Sequence, residues 1–548
     1  MTQKVIIYQV FTRLFGNRNT TRKEWGTVAE NGSGKFADFD TKKLKAIKRM
    51  GISHVWFTGV IRHATQTDYS QYGIPTQHPA VVKGKAGSPY AICDYYDVDP
   101  DLAVDVEKRM KEFEALVSRT HRAGLKVIID FVPNHVARQY HSICHPKGVT
   151  DLGVGDDNSQ GFSPKNNFYY CPCCHFEPTF DKADYDEYPA RATGNDHFDN
   201  RPGINDWYET IKLNYGIDYW THFGHFDPVP DTWKKMTDIL LFWASKGIDG
   251  FRCDMAEMVP AAFWAYATSR VRQEYPSVIF MGEVYNPAEY RNYIHSGFDW
   301  MYDKVGMYDA MRAVICGNAP AHIITNAWQS VDDIKPHMVY FLENHDEQRV
   351  ASDFFAGSAV KGLPGMVASV LMQSSPFMLY AGEEYGEKGM DKEGFSGCDG
   401  RTTIFDYWSI DTLCRADASE LTDEEKYVYE IHEKTMQIAR KEKAVDGEFY
   451  DLMYVNPSSE YFSDYKQFAF LRKKEDDLLF VVVNFSDDSA DIRVRIPKHA
   501  FDYLHIPEKK YKAKDLLSGE KLDIVFSPDG FVPMTISQRG ARVWKISL

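Results

Sequence analysis

The sequence predicts an α/β fold, a (β/α)₈ barrel, with a doubly wound parallel sheet as the alternative. Three observations predict it. An amphipathic helix, a glycine and a short apolar strand recur as one unit along the chain. Eight strands of that kind can be placed. Polar and charged residues gather just after the C-terminal ends of several of them, where barrels carry their chemistry.

The first strand is Val5–Phe11. Its apolar run is too short for the core of a secretion signal, and no small-residue cleavage site follows, so a cytoplasmic protein is expected. Leu44, Ile47 and Met50 then mark one face of a helix. Gly51 supplies its left-handed end, and His54–Val60 is the second strand. Val106, Met110, Phe113 and Val117 mark the next helix, followed by Gly124 and the strand Lys126–Phe131. Met236, Ile239, Leu240 and Trp243 mark a third, followed by Gly247 and Ile248–Cys253. The remaining strands are Val278–Gly282, Phe298–Tyr302, Met338–Leu342 and Phe377–Ala381.

Between the third and fourth strands lies a long stretch rich in Asn, Asp, Gly, Pro, Tyr and Cys, with little helical period. It reads as an inserted domain B over residues 136–214. The barrel then comprises residues 1–135 and 215–444. From 445 to 548 the pattern changes to short alternating strands, Gln467–Leu471, Leu478–Asn484, Ile492–Ile496 and Ala541–Ile546. These predict a C-terminal antiparallel β-sandwich.

Composition narrows the partners. The chain has 548 residues, 44% of them hydrophobic and 26% charged, which suits large cores in two or three domains. A net charge of −15 argues against nucleic acid, because phosphate neutralisation needs a basic face. Apolar runs such as Leu478 to Val483 are far too short to span a membrane. The aromatic fraction of 14% suits sugar stacking and ordinary cores equally. Nine cysteines include Cys171-Pro172-Cys173-Cys174, followed by His175. Reduced thiols are the expected reading. A metal clip recruiting Cys144, His141 or His145 is the rival, but the spacing departs from paired Cys-x-x-Cys zinc patterns.

The strand ends carry the chemistry. Asp130-Phe-Val-Pro-Asn134-His135 follows the third strand, and Arg252 and Asp254 end the fourth. Glu283 ends the fifth, and Asn344-His345-Asp346 follows the seventh. Each group alone has a bland reading, as an ion pair, a turn or a solvated end. Together, at one rim, they suit glycoside cleavage, which needs one carboxylate to attack the anomeric carbon and another to protonate the leaving oxygen. Arg252 and Asp254 share a strand face, so the guanidinium is expected to hold Asp254 ionised as nucleophile. Glu283 follows the apolar run Val278 to Gly282, a setting that suits a general acid. His135, His345 and Asp346 can bond sugar hydroxyls.

With these motifs, nearly the whole chain resembles the alpha-amylase family, glycoside hydrolase family 13. Asp130-x-x-x-Asn134-His135, Gly250-Phe-Arg252-Cys-Asp254, Gly-Glu283-Val and Asn344-His345-Asp346 resemble its four signature regions. Tyr380-Ala-Gly-Glu-Glu is similar to the family's eighth strand end. Tyr90, in Ser-Pro-Tyr, resembles the tyrosine that stacks on the sugar at the cleavage subsite. The resemblance implies barrel, B and C domains and a retaining mechanism. Asp254 would be the nucleophile and Glu283 the acid/base. Asp346, His345, His135 and Arg252 would bind and distort the sugar. The implied substrate is an α-1,4 or also α-1,6 glucan or maltooligosaccharide. A glucosyl or glucan transferase and an inactive barrel that only binds are the alternatives.

The resemblance implies no cofactor for catalysis, but it raises a structural calcium. The family's fifth region often carries Pro-Asp-Leu-Asn/Asp, whose first Asp can bind calcium. Here Ile211-Lys212-Leu213-Asn214 stands, which resembles the Pro-Lys-Leu-Asn form of neopullulanase-like members. Asn134 stays a candidate ligand. Asn17 and Asn19, after the first strand, offer another cation site, although short turns carry Asn as readily. After Asp254 comes Met-Ala-Glu-Met, where many plain amylases have Lys-His for the reducing-side sugar.

Overall fold

A computed structural model describes residues 4–548. Eight parallel strands close into a barrel. They are β1 Ile6–Phe11, β2 His54–Thr58, β3 Lys126–Phe131, β4 Gly250–Cys253, β5 Ile279–Gly282, β6 Trp300–Tyr302, β7 Met338–Phe341 and β8 Phe377–Tyr380. β1 pairs with both β2 and β8, so the sheet closes and leaves no edge. Nearly every barrel-strand side chain is buried, because the barrel interior lies on one side and helices on the other.

The helices form where the apolar spacing places them. α1, Thr41–Met50, begins where Asp40 accepts a bond from the Lys43 amide at 2.7 Å. It ends at Gly51, whose φ of +113° suits a residue without Cβ, and it buries Leu44, Ile47 and Met50. α2 spans Arg109–Arg122 and buries Phe113, Leu116, Val117 and Thr120. Val106 instead lies in a preceding 3₁₀ turn capped by Asp105, whose short side chain competes for the amides of a first helical turn. α3, Asp231–Ser245, buries Met236, Ile239, Leu240 and Trp243. Each such side chain contributes roughly 1.5–3 kcal/mol of burial free energy.

Between β3 and α3 the chain leaves the barrel. It departs along His135–Ala137 and returns along Thr210–Lys212, the two segments paired antiparallel. A second small ladder, Tyr170–Cys171 with Ala190–Arg191, stiffens the excursion.

The C-terminal strands are β9 Glu448–Asp451, β10 Gln467–Lys474, β11 Asp477–Asn484, β12 Ala490–Ile496, β13 Lys509–Asp515, β14 Lys521–Phe526, β15 Gly530–Ile536 and β16 Ala541–Ser547. Six form one sheet in the order β9-β10-β11-β16-β13-β14, and β12 pairs with β15. Alternation is clean in the pair: Ile492, Val494 and Ile496 face inward with Val532, Met534 and Ile536. β10 lies against the barrel and carries Arg472, which is 1% exposed. Its guanidinium donates to the carbonyls of Met372 at 2.6 Å and Gly447 at 2.8 Å, and also to that of Val445. Met372 ends a helix of the barrel shell.

Candidate active site

At the C-terminal rim of the barrel, strands β3, β4 and β5 bring four ionisable groups around one another. Arg252 pairs in register with Asp130 on β3 and Met281 on β5. Its side chain is fully buried. Nη1 lies 2.8 Å from Asp254 Oδ1 and 3.6 Å from Asp130 Oδ1. Nη2 lies 2.7 Å from Glu283 Oε2. Nε donates to Tyr302 Oη at 3.2 Å. Trp56 and Tyr90 flank the guanidinium, with ring centroids at 5.2 and 5.4 Å. A buried cation with this many partners is geometrically fixed.

Arg252 meets Asp254 as the strand period requires, but it does not serve that carboxyl exclusively. The guanidinium is shared, because β5 delivers Glu283 to its other terminal nitrogen. Burial pushes the Asp254 carboxyl well above its usual range; Arg252 opposes this, while Glu283, Asp346 and Asp130 add to it. Burial likewise pushes Asp130 up to about 6, again against Arg252. Several carboxyls thus share one positive charge, and burial raises Asp254 and Asp130 together against it.

The two carboxylates differ in their hydrogen bonds. Glu283 Oε2 accepts from the Met255 amide at 2.8 Å, and Oε1 accepts from Tyr285 Oη at 2.6 Å. Asp254 Oδ2 is buried and accepts no hydrogen bond from any described residue. Met255, between the two functional positions, has φ +42°, and this left-handed residue aims its amide back at Glu283.

Across the pocket, Tyr90 Oη lies 2.5 Å from His345 Nε2, which also lies 3.0 Å from Asp346 Oδ2. His345 Nδ1 meets Gln9 Nε2 at 2.8 Å. Burial and Arg252 hold His345 well below its ordinary pKa. Burial, Lys212 and Lys83 bring His135 down to about 3. Both imidazoles are thus neutral hydrogen-bonding groups at pH 7. His135 packs its ring on Trp207 at 5.3 Å. A cavity of about 250 Å³ is lined by Asp254, Glu283, Asp346, Tyr90, His135 and Trp207, among others.

Gln9, Tyr285, Tyr302 and Trp207 are functional neighbours that the sequence reading did not select. Gln9 left a signal, as the polar member of the run Ile6-Ile7-Tyr8-Gln9-Val10-Phe11. Tyr285 left another, two residues beyond Glu283. Gln9→Leu, which keeps the volume and frees the His345 ring, is expected to lower kcat/KM on maltotriose about tenfold, or about 1.4 kcal/mol. A variant within twofold of the wild type would remove Gln9 from the site.

The candidate cation ligands have hydrogen-bond partners within the chain. Asn134 Oδ1 accepts from the Lys212 ammonium, which also lies 2.6 Å from Asp196 Oδ1. A buried ammonium already fills the place between barrel and excursion where a divalent cation would sit. Asn17 spends Nδ2 on the carbonyls of Asn31 and Trp408 and Oδ1 on the Asn19 amide. Asn19 bonds the Glu30 carbonyl and the Thr21 amide. Both are turn asparagines. Among the described residues, Asp94, Asp97 and Cys144 are the one group of His, Cys, Asp or Glu donors that converges. Arg62 lies 3.0 Å from Asp94 and 3.3 Å from Asp97, and Arg109 lies 2.7 Å from Asp97. In the Cys171–His175 segment, Cys171 Sγ lies 3.6 Å from the Phe198 carbonyl, while His175 pairs with Asp186.

Comparison with known proteins gives the family. Residues 9–479 match the alpha amylase catalytic domain, and residues 461–547 match the alpha amylase C-terminal all-beta domain. Alpha-amylase 3 of Dictyoglomus thermophilum is 24% identical over 470 residues, covering 81% of this chain and 79% of that one. Neopullulanase 2 of Thermoactinomyces vulgaris is 21% identical over 410 residues, covering 71% of this chain and 57% of its own length. A solved alpha-amylase of Geobacillus thermoleovorans, complexed with acarbose, superposes with a TM-score of 0.65 at 19% identity over 99% of this chain and 98% of that one. Among the described residues, no helix is long and apolar enough to cross a membrane. With the family's catalytic-domain pattern covering most of the sequence, and a closed barrel carrying paired carboxylates at its rim, the chain belongs to the alpha-amylase family of glycoside hydrolases.

Proposed function

We propose that the protein cleaves α-1,4, and also α-1,6, glucosidic bonds of starch-derived glucans or maltooligosaccharides with retention of configuration. The observation that carries this reading is Arg252 holding Asp254 and Glu283 on its two terminal nitrogens. Retaining enzymes hold their two carboxyl groups about 5–5.5 Å apart and inverting enzymes about 6.5–9.5 Å apart; one guanidinium bridging both carboxylates supports the shorter, retaining spacing.

Asp254 Oδ2, free of hydrogen bonds, attacks the anomeric carbon. The glycosidic C–O bond breaks, and Glu283, acting as general acid, delivers a proton to the leaving oxygen. A glucosyl ester on Asp254 results. Glu283, now ionised and held by the Met255 amide and Tyr285, takes a proton from a water whose oxygen bonds to the anomeric carbon, and the ester bond to Asp254 breaks to release the sugar and restore the carboxylate. Asp346 and His345 bind the ring hydroxyls, and Arg252 keeps the emerging carboxylate charges compensated.

The test is a product profile on starch, pullulan, cyclodextrin and maltotriose, with proton NMR of the first product. Shorter maltooligosaccharides released as the α-anomer are expected. A β-anomer would overturn the retaining assignment, and products longer than the substrate, formed alongside the shortened donor, would make the enzyme a transferase.

For structural metal, the reading is that Lys212 serves where a cation would otherwise join barrel and excursion. Excess EDTA is expected to leave kcat and Tm unchanged. Lys212→Met should lower stability by roughly 1–3 kcal/mol, because it leaves the buried Asn134 Oδ1 without its donor, while water can solvate the half-exposed Asp196. Loss of activity in EDTA, restored by calcium, would defeat this reading.

A further inference from the structure

The catalytic pocket holds a second pair of charged side chains to which the mechanism gives no task. Lys83 and Glu209 both line it. They come from distant parts of the chain, Lys83 from the loop after β2 and Glu209 from the entry to the strand Thr210–Lys212. Both are more than nine-tenths buried, with 8% and 4% of their surface exposed.

Their bonding is incomplete. Lys83 Nζ donates to the Asp206 carbonyl at 3.1 Å and sits 5.1 Å from the Tyr208 ring. It lies 3.1 Å from Glu209 Oε2. That approach is misdirected for a hydrogen bond, and Glu209 Oε2 accepts none from any described residue. A buried carboxylate oxygen without donors is costly, and such costs persist where a ligand removes them. The fold does not need the pair as a cross-link, since the Glu209 backbone is already fixed by the Arg138 amide at 3.0 Å.

The charges also say what the ligand is. An ammonium and a carboxylate side by side cancel, so the pair offers no net field to an anion or a cation. It offers one strong acceptor beside one strong donor. Adjacent sugar hydroxyls present the same combination, each being donor and acceptor at once. Trp207, which lines the same wall and packs on His135, supplies an apolar face for the C–H side of a ring.

We propose that Lys83 and Glu209 form a hydroxyl-reading pair on the His135 side of the pocket, with Glu209 accepting from one glucosyl hydroxyl and Lys83 donating to its neighbour, and that this pair sets which sugar the site accepts. The proposal rests on the glucan-cleaving reading above. Removing it should weaken sugar binding and leave the covalent chemistry at Asp254 in place.

The experiment measures maltotriose binding by calorimetry in a Glu283→Gln background, and kcat and KM in the wild-type background, for Glu209→Gln, Lys83→Met and the double variant. Tm is recorded for each. Glu209→Gln is neutral and isosteric, so it stays informative if Lys83→Met strands a buried charge and fails to fold. Each single variant is expected to weaken Kd and raise KM at least tenfold, with Tm held. The double variant should be no weaker than the worse single, because the two residues act on one sugar. Maltotriose affinity within twofold of the parent would overturn the proposal, and so would a uniform activity loss that tracks a lowered Tm. If the glucan-cleaving reading itself is wrong, the parent protein neither binds nor cleaves maltotriose, a failure visible before any variant is compared.

Discussion

Asp254→Asn is expected to lower kcat/KM on maltotriose by at least about 10⁴-fold, or about 5.4 kcal/mol of transition-state stabilisation. The amide keeps the shape of the carboxylate and can stay near Arg252, so the fold survives. It cannot attack the anomeric carbon. Glu283→Gln should fall comparably on maltotriose, because the leaving alkoxide then receives no proton. The two variants separate on α-glucosyl fluoride, whose leaving group needs no protonation. Glu283→Gln should keep much of its first-step rate there, and Asp254→Asn should keep none. If Asp254→Asn consumed the fluoride at the wild-type rate, another residue would be the nucleophile.

The second large effect is on stability as well as rate. Arg252→Met leaves Asp254, Glu283 and Asp130 buried around an apolar side chain. Breaking such an arrangement typically costs about 3–5 kcal/mol, and activity should fall by about 10³-fold or more through lost charge compensation. The pH dependence distinguishes this from simple packing damage. Asp130 already has a folded pKa of about 6, above the usual unfolded value of about 3.9. A carboxyl raised in the folded state contributes stability that is fully present below the unfolded pKa and is lost as pH rises through the folded one. Without Arg252 the carboxyls rise further, so the loss extends to higher pH. The stability gap between wild type and variant should be small near pH 4 and widen toward pH 8, measured by urea unfolding at each pH. An equal gap at both ends would mean that the guanidinium acts only as filler.

Much of the barrel was legible because its signals are local. Helical spacing at Leu44, Ile47 and Met50 and glycine at 51 need no knowledge of distant partners. All eight strands fall where the apolar runs place them. Arg252 and Asp254, two apart on one strand, meet as period two requires. What remained hidden depends on neighbouring strands. No local rule shows that Glu283 takes the second nitrogen of Arg252, that Gln9 reaches His345 across the barrel, or that Lys83 finds Glu209. These contacts join residues 31, 336 and 126 positions apart, and only the closed sheet and the excursion bring them together. The asparagines at 17 and 19 stay ambiguous for another reason: a turn and a metal loop use the same residue, and the sequence does not say whether the amide oxygen faces an ion or its own backbone.

Arg472 bears on how the molecule comes apart. Its guanidinium is threaded into carbonyls at the end of a barrel helix and in the connection that leaves it. Pulling the β-domain away would strand those carbonyls and expose a cation built into a dry seam. This seam therefore couples the unfolding of the barrel to that of the β-domain. Heating should give one calorimetric peak for the barrel and the β-domain, with van't Hoff and calorimetric enthalpies in agreement, and proteases should find no long-lived half-molecule along the way.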